Sequence, residues 1–180
     1  MWRNESMAIN DFEQISLEKK SDMCDAKATF LLVENPHFAS HKNPDISKFF
    51  KNIKCVVDNT NHPLLMHSLA NFYLYGLGTE VNHQLAFEWY SKASALENLN
   101  SLNSLGDLYL SAVGVEEDIL KAYNAYYKAA ELGNPSGMNS LGNFYHKGFI
   151  VEKNHDKAYS LYKAAAMLNY GPAMYNLGTY

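Results

Sequence analysis

The segment LGDLYLSAVGVEEDILKAYNAYYKAAELGNPSGMNSL, from Leu105 to Leu141, decides the fold because the chain repeats its pattern in both directions. Leu105 and Leu141 are 36 residues apart, and the same step leads back to Leu69 and forward to Leu177. Self-similarity at a fixed period of this length predicts a solenoid, in which each repeat buries its apolar surface against its neighbours.

Other columns keep the same step and are also apolar or aromatic. They are Met66, Leu102, Met138 and Met174; Tyr73, Tyr109 and Tyr145; and Ala86, Ala122 and Ala158. Within a repeat, the apolar residues have the spacing of one helix face. Asn82, Asp118 and Asn154 precede the second apolar run of each repeat, where a side-chain oxygen can cap the free N–H groups of a helix. The pattern therefore predicts an all-α chain with two helices in each repeat.

Small residues directly follow the leucine column, at Ala70, Gly106, Gly142 and Gly178. A glycine inside a helix costs about 1 kcal/mol relative to alanine. Three glycines at one register position therefore indicate a steric demand, which we interpret as the close approach of the partner helix.

The residues of one repeat resemble the Sel-1-like repeat family, whose members are similar to tetratricopeptide repeats. The resemblance is carried by Leu105-Gly106-Asp107-Leu108-Tyr109, Gly114-Val115, Lys121-Ala122 and Tyr126-Tyr127-Lys128-Ala129-Ala130. It covers about residues 63–180, in three registered copies. The resemblance implies a right-handed α/α superhelix of stacked antiparallel helix pairs that acts as an adaptor or scaffold.

The repeat register divides the chain into six segments. They are an irregular or mobile tail at 1–25, a degenerate capping repeat at 26–62, three repeats at 63–98, 99–134 and 135–170, and the first helix of a further, truncated or capping repeat at 171–180. Within the capping repeat, the apolar spacing predicts a helix over residues 46–57.

Two polar columns on the first helices are the candidate binding site. Asn71, Asp107, Asn143 and Thr179 follow the small-residue column, and His67, Asn103, Asn139 and Tyr175 lie four residues earlier on the same helix face. In tetratricopeptide-like solenoids the first helices line the concave side. Amide side chains offer both donors and acceptors to an extended peptide backbone, so we expect a peptide or protein partner there. An exposed face that is polar only because water contacts it is the alternative.

Charge and composition argue against several other partners. The net charge is −4 and there is no basic stripe, which disfavours nucleic-acid binding. The apolar runs are too short to cross a bilayer, so we expect no membrane insertion. No signal peptide is visible, which favours a cytoplasmic location. Cys24 and Cys55 could pair in a disulfide, but so few cysteines fit a reducing compartment better.

No motif for chemistry stands out. There is no H-E-x-x-H, no paired C-x-x-C and no G-x-S-x-G, so we expect no enzyme and no cofactor. His37, His41 and Cys24 could share a metal ion, but solvated loop histidines are the simpler interpretation.

The sequence therefore favours a non-catalytic interaction module. One alternative is an architectural segment of a larger repeat protein, with self-association through an open C-terminal end. The other is a β-lactam-binding or β-lactam-hydrolysing enzyme, which the resemblance suggests because a bacterial cysteine-rich subgroup of the family has that role. The repeats of this chain contain no cysteine, which argues against that subgroup.

Overall fold

A computed structural model describes residues 46–179 of the chain. In this range it contains eight helices and no strand. They are α1 (Ile46–Asn59), α2 (Pro63–Tyr75), α3 (His83–Ala95), α4 (Leu99–Ser111), α5 (Ile119–Glu131), α6 (Pro135–Lys147), α7 (His155–Met167) and α8 (Gly171–Gly178). The predicted all-α class is confirmed, whereas the expected tail at 1–25 and residues 26–45 of the expected capping repeat lie outside the described range.

The predicted helix starts are confirmed by their caps. The Oδ1 atoms of Asn82, Asp118 and Asn154 accept hydrogen bonds from the backbone N–H three residues later, at 2.9, 2.8 and 2.9 Å. These bonds satisfy donors that a helix start otherwise leaves unpaired. First helices end in the left-handed conformation, at Gly76 with φ 66° and Gly148 with φ 70°. The capping chemistry therefore recurs with the repeat.

The chain divides into two compact units, and the boundary between them falls between Trp89 and Tyr90, within α3. In the first, α1 packs on α2 through aromatic side chains: the ring centroids of Phe49 and Phe72 are 5.6 Å apart, and those of Phe50 and Tyr73 5.4 Å apart. Cys55, on α1, is disulfide-bonded. Cys24 lies outside the described residues.

In the second unit, each helix from α4 to α8 packs on the next, and α4 also contacts α6. The core between them includes Ala122, Tyr126 and Phe144, with the rings of Tyr126 and Phe144 5.9 Å apart. Second helices across the chain bury the same three columns, each side chain at most 2 % exposed: Ala86, Ala122 and Ala158; Tyr90, Tyr126 and Tyr162; Ala93, Ala129 and Ala165. Equal steps in sequence thus occupy equivalent buried positions.

At two glycines of the small-residue column, the partner helix approaches closely through a tyrosine side chain. The ring of Tyr126 lies against Gly106, and the ring of Tyr162 lies against Gly142. The close approach of backbones occurs instead at Gly137, where an added Cβ would lie 2.6 Å from Ala129 Cβ and 3.0 Å from the Ala130 nitrogen.

None of the described helices has both the length and the apolar character needed to cross a bilayer.

Candidate functional site

The first polar column is built into the repeat by buried tyrosines. The hydroxyl of Tyr126 donates to Asp107 Oδ1 at 2.7 Å, and the hydroxyl of Tyr162 donates to Asn143 Oδ1 at the same distance. Both tyrosines are 2 % exposed, so each hydroxyl needs a partner inside the protein. The column therefore also has a structural role, which the sequence analysis missed. The signal was present, because Tyr126 and Tyr162 are themselves 36 residues apart.

Burial and hydrogen bonding shift the acidity of one of these pairs. Burial, with help from the bond to Asp107, raises the pKa of Tyr126, so its hydroxyl stays protonated and donates at neutral pH. Partial burial of the carboxyl raises the pKa of Asp107, and the hydrogen bond from Tyr126 opposes that rise. Asp107 as a whole residue remains exposed, so water screens much of this effect.

The second polar column is less uniform. Asn103 is half-buried, and its Nδ2 donates to Asp107 Oδ2 at 3.2 Å. Asn139 is buried, and its Oδ1 accepts from Asn176 Nδ2 at 2.8 Å, which links α6 to α8. Tyr175 is 73 % exposed. The side chains predicted to form one surface thus divide into a buried inter-helix contact and accessible groups.

The remaining candidate residues are Thr179, His67 and Asn71. Thr179 is exposed, and its hydroxyl donates to the backbone oxygen of Asn176 at 2.9 Å. In the first compact unit, His67 and Asn71 are half-buried on α2. Burial lowers the pKa of His67 to about 4, so this imidazole is neutral at pH 7. His67 therefore brings no positive charge to the candidate site.

A separate open groove of about 370 Å³ lies between α6 and α7. Its walls include Leu141 and Tyr145, and Lys157 Nζ lies 5.0 Å from the centre of the Tyr145 ring. The same contact recurs one repeat earlier, with Lys121 Nζ 5.5 Å from the Tyr109 ring. This recurrence shows that the lysine and tyrosine of the groove are part of the repeat rather than a separate site.

No group of three or more potential metal ligands comes together in residues 46–179. The rings of His146 and His155 are 5.3 Å apart and nearly perpendicular. The other metal set that the sequence suggested, His37, His41 and Cys24, lies outside the described residues.

The helix pairs, the capped starts and the tyrosine–glycine contacts recur with the step that the sequence predicted. A family model described as "Sel1 repeat" matches residues 63–98, 100–134, 135–170 and 171–180. The chain belongs to the Sel1 repeat family. Its fold is one that generally serves protein–protein interaction, as a non-catalytic repeat scaffold. No curated protein matches the chain.

Solved structures with Sel1 repeats share this fold. A Sel1 repeat protein of Oxalobacter formigenes aligns with a TM-score of 0.74 at 24% identity, over 97% of this chain and 71% of its own. A protective antigen of uropathogenic Escherichia coli with an SLR fold aligns with a TM-score of 0.69 at 20% identity, over 95% of this chain and 40% of its own. Both show the fold alone at these identities.

The cysteine rich protein B of Helicobacter pylori aligns with a TM-score of 0.55 at 27% identity, over 69% of this chain and 94% of its own. The matched repeats of the present chain, residues 63–180, contain no cysteine. Whatever cysteines contribute to that protein, the Sel1 repeats here are held together without them.

Proposed function

We propose that this Sel1 repeat chain is a non-catalytic interaction module that binds a peptide or protein across the polar face of its first helices. The observation that carries the proposal is the set of accessible polar side chains at two repeat positions of α4, α6 and α8. Asp107, Tyr175 and Thr179 are exposed, and Asn103 and Asn143 are half-buried. In the sequence-based expectation, this is the face that lines the concave side of the solenoid.

The chemistry of this face suits recognition better than catalysis. Its members are amides, one carboxylate, a phenol and a hydroxyl, which can hydrogen-bond to a peptide backbone from both sides. The family's general role as a scaffold supports the same conclusion. A β-lactam-directed activity is the rival enzyme hypothesis, and incubation with a chromogenic β-lactam tests it: turnover or acylation would refute the non-catalytic proposal.

The test of the binding face is a matched pair of variants. Asn103→Ala, Tyr175→Ala and Thr179→Ala are combined in one chain, and Tyr159→Ala removes an exposed tyrosine from α7 as the control. A photo-crosslinker at position 175 of an otherwise wild-type chain first identifies the protein captured from native lysate, and capture of that protein by the variants is then measured without the crosslinker. We expect the triple variant to lose that protein and the control to retain it, with unchanged helicity in both. Equal capture by the wild type and the triple variant would exclude this face.

Self-association is the second candidate, and the exposure of apolar side chains on α7 and α8 favours it. Met167 is 77 % exposed and Met174 45 %. The ring of Tyr123 packs on the ring of Phe144, with the ring centroids 5.6 Å apart. Tyr159 is the equivalent tyrosine one repeat later, and it is 45 % exposed. Light scattering over a range of concentrations distinguishes the two candidates. A monomer at all concentrations rules out self-association.

The cytoplasmic location stays a prediction. The disulfide at Cys55 favours an oxidising compartment instead, because cytosolic thiols are kept reduced. Alkylation of free thiols in intact cells, followed by cell fractionation, decides between a cytoplasmic location and an oxidising compartment.

A further inference from the structure

Asp107 is the one carboxylate at its repeat position, where Asn71, Asn143 and Thr179 are neutral. Its structural task is to accept the hydrogen bond from Tyr126, and Asn143 performs the same task for Tyr162 at the same distance of 2.7 Å. An amide oxygen is therefore sufficient to satisfy the buried hydroxyl. The negative charge of Asp107 is not needed for the packing of the repeat.

That charge also has no compensating cation within the described chain. Asp107 accepts from Tyr126 and from Asn103, and no lysine, arginine or histidine among residues 46–179 forms an ion pair with it. The carboxyl is nonetheless partly desolvated, which raises its pKa. A charge that is partly removed from water and lacks an internal partner attracts an external cation.

The neighbouring Asn103 side chain holds a second acceptor. The Oδ1 atom of Asn103 is buried without a hydrogen-bond partner. One repeat later, the equivalent oxygen of Asn139 accepts from Asn176. The residue that would make this bond to Asn103 is Ser140, 36 positions before Asn176, and its side chain is shorter. The replacement of asparagine by serine accounts for the unpaired oxygen.

The two acceptors can serve one donor group. In the structure, the Asn103 amide directs its Nδ2 at Asp107 Oδ2, 3.2 Å away. A 180° flip of the amide places Oδ1 next to the carboxylate. That arrangement is favourable only when a cationic donor lies between the two oxygens. An ammonium or guanidinium group has the required charge and several N–H donors. The site thus fits a basic side chain better than a neutral one.

We propose that the partner of the binding face is an extended peptide segment that carries a lysine or arginine, and this inference rests on the proposed function. The cationic group of that residue is held by Asp107 Oδ2 and Asn103 Oδ1. Asn143 on α6 is the equivalent of Asp107, and Tyr175 on α8 is the equivalent of Asn103. The half-buried amide of Asn143 and the exposed ring of Tyr175 offer further contacts to the same segment. One exposed ion pair is weak, so these additional contacts are needed for useful affinity.

The probes are two acetylated and amidated octapeptides of serine and glycine, one with a central lysine and the other with norleucine in its place. Each is titrated into the isotopically labelled full chain and followed by the side-chain NMR signals of Asn103 and Asp107. We expect the lysine peptide to bind more tightly than the norleucine peptide. We also expect Asp107→Asn to weaken lysine-peptide binding up to about fivefold, and added salt to do the same.

Two variants keep the test separate from folding. Asp107→Asn reproduces the arrangement that Asn143 already has, so the chain should retain its helicity. Its thermal midpoint should fall only slightly, because the bond from Tyr126 then goes to a neutral acceptor. Asn143→Asp adds a second carboxylate at the equivalent place on α6 and should tighten binding of a peptide with two lysines. Equal binding of the lysine and norleucine peptides, no binding of either, or no effect of Asp107→Asn would overturn this inference. The proposed function is judged separately, by partner capture with the triple variant.

Discussion

The ring of Tyr126 occupies the space that a side chain at Gly106 would need: a Cβ at that position would lie 2.4 Å from Cε1 and 2.6 Å from Cζ of the ring. Tyr126 is held in place by burial and by its hydrogen bond to Asp107. The glycine is thus required by a side chain of the second helix in the same repeat, although glycine itself weakens a helix.

Gly106→Ala should therefore destabilise the chain, although alanine is the better helix former. The clash with a buried ring costs about 1–3 kcal/mol, of which about 1 kcal/mol is regained from helix propensity. Urea unfolding measures the net loss, which we expect to be up to about 2 kcal/mol. Gly178→Ala is the matched control, because it stands in the same column and a Cβ there meets nothing within 4 Å. A Gly106→Ala chain as stable as this control would contradict the steric explanation.

The helices of the repeats could be predicted because local signals recur with the period. Asn and Asp at the cap positions, Pro63 and Pro135 at first helical positions, and alanine columns on the second helices each specify a boundary or a buried face. Each repeat supplies an independent copy of the same signal. Three agreeing copies make the assignment firm.

The side-chain partners of the polar columns could not be predicted in the same way. Periodicity identifies which residues share a face, but it does not say whether a polar group on that face contacts water or another helix. Asn139 illustrates the difference, because it is buried against Asn176 while its equivalents Asn103 and Tyr175 are more exposed. Whether the side chain at this repeat position is buried depends on the residue 37 positions later, which for Asn139 is Asn176.

Tyr126→Phe should reduce stability and raise the pKa of Asp107. It removes a hydrogen bond to a charged acceptor, which is worth about 1.5–3 kcal/mol, and that bond is the contribution that lowers the Asp107 pKa. The matched variant Tyr162→Phe loses a bond to the neutral Asn143 and should cost less, about 1 kcal/mol. Urea unfolding and an NMR titration of Asp107 measure the two effects. An unchanged titration of Asp107 would show that the bond is not formed in solution.

Acidification should destabilise the first compact unit through His67. Its pKa is about 4 in the folded chain and 6.5 when unfolded, because burial disfavours the charged imidazole. The unfolded chain therefore binds the proton first, so this stabilisation is complete above pH 6.5 and is lost as the pH falls to about 4. The loss is at most about 3 kcal/mol.

His67→Asn should remove this pH dependence, since asparagine stands at the equivalent positions 103 and 139 and does not titrate. His83→Asn, at an exposed position, is the control and should keep the wild-type slope. The measurement is the free energy of unfolding in urea between pH 4 and pH 7. A His67→Asn chain with the wild-type slope would assign the acid sensitivity to other groups.

Asn134→Ala should be the most damaging of the cap substitutions in the second unit. Asn134 Oδ1 accepts from the Gly137 N–H at 2.8 Å, and its Nδ2 donates to Asn100 Oδ1 on α4 at 3.0 Å. The residue is 4 % exposed, so water cannot replace either bond. Loss of the cap and of the link to the preceding repeat should together cost about 2 kcal/mol or more.

Asp118→Ala is the comparison, because Asp118 caps α5 in the same way but its other contact is an exposed ion pair, with Lys121 at 3.2 Å. Water and salt screen such a pair, so its removal should cost less than the removal of Asn134. Thermal unfolding of the two variants in parallel gives the ranking. If the two midpoints fell equally, the bond between Asn134 and Asn100 would contribute nothing to the stacking of these repeats, and capping alone would account for both losses.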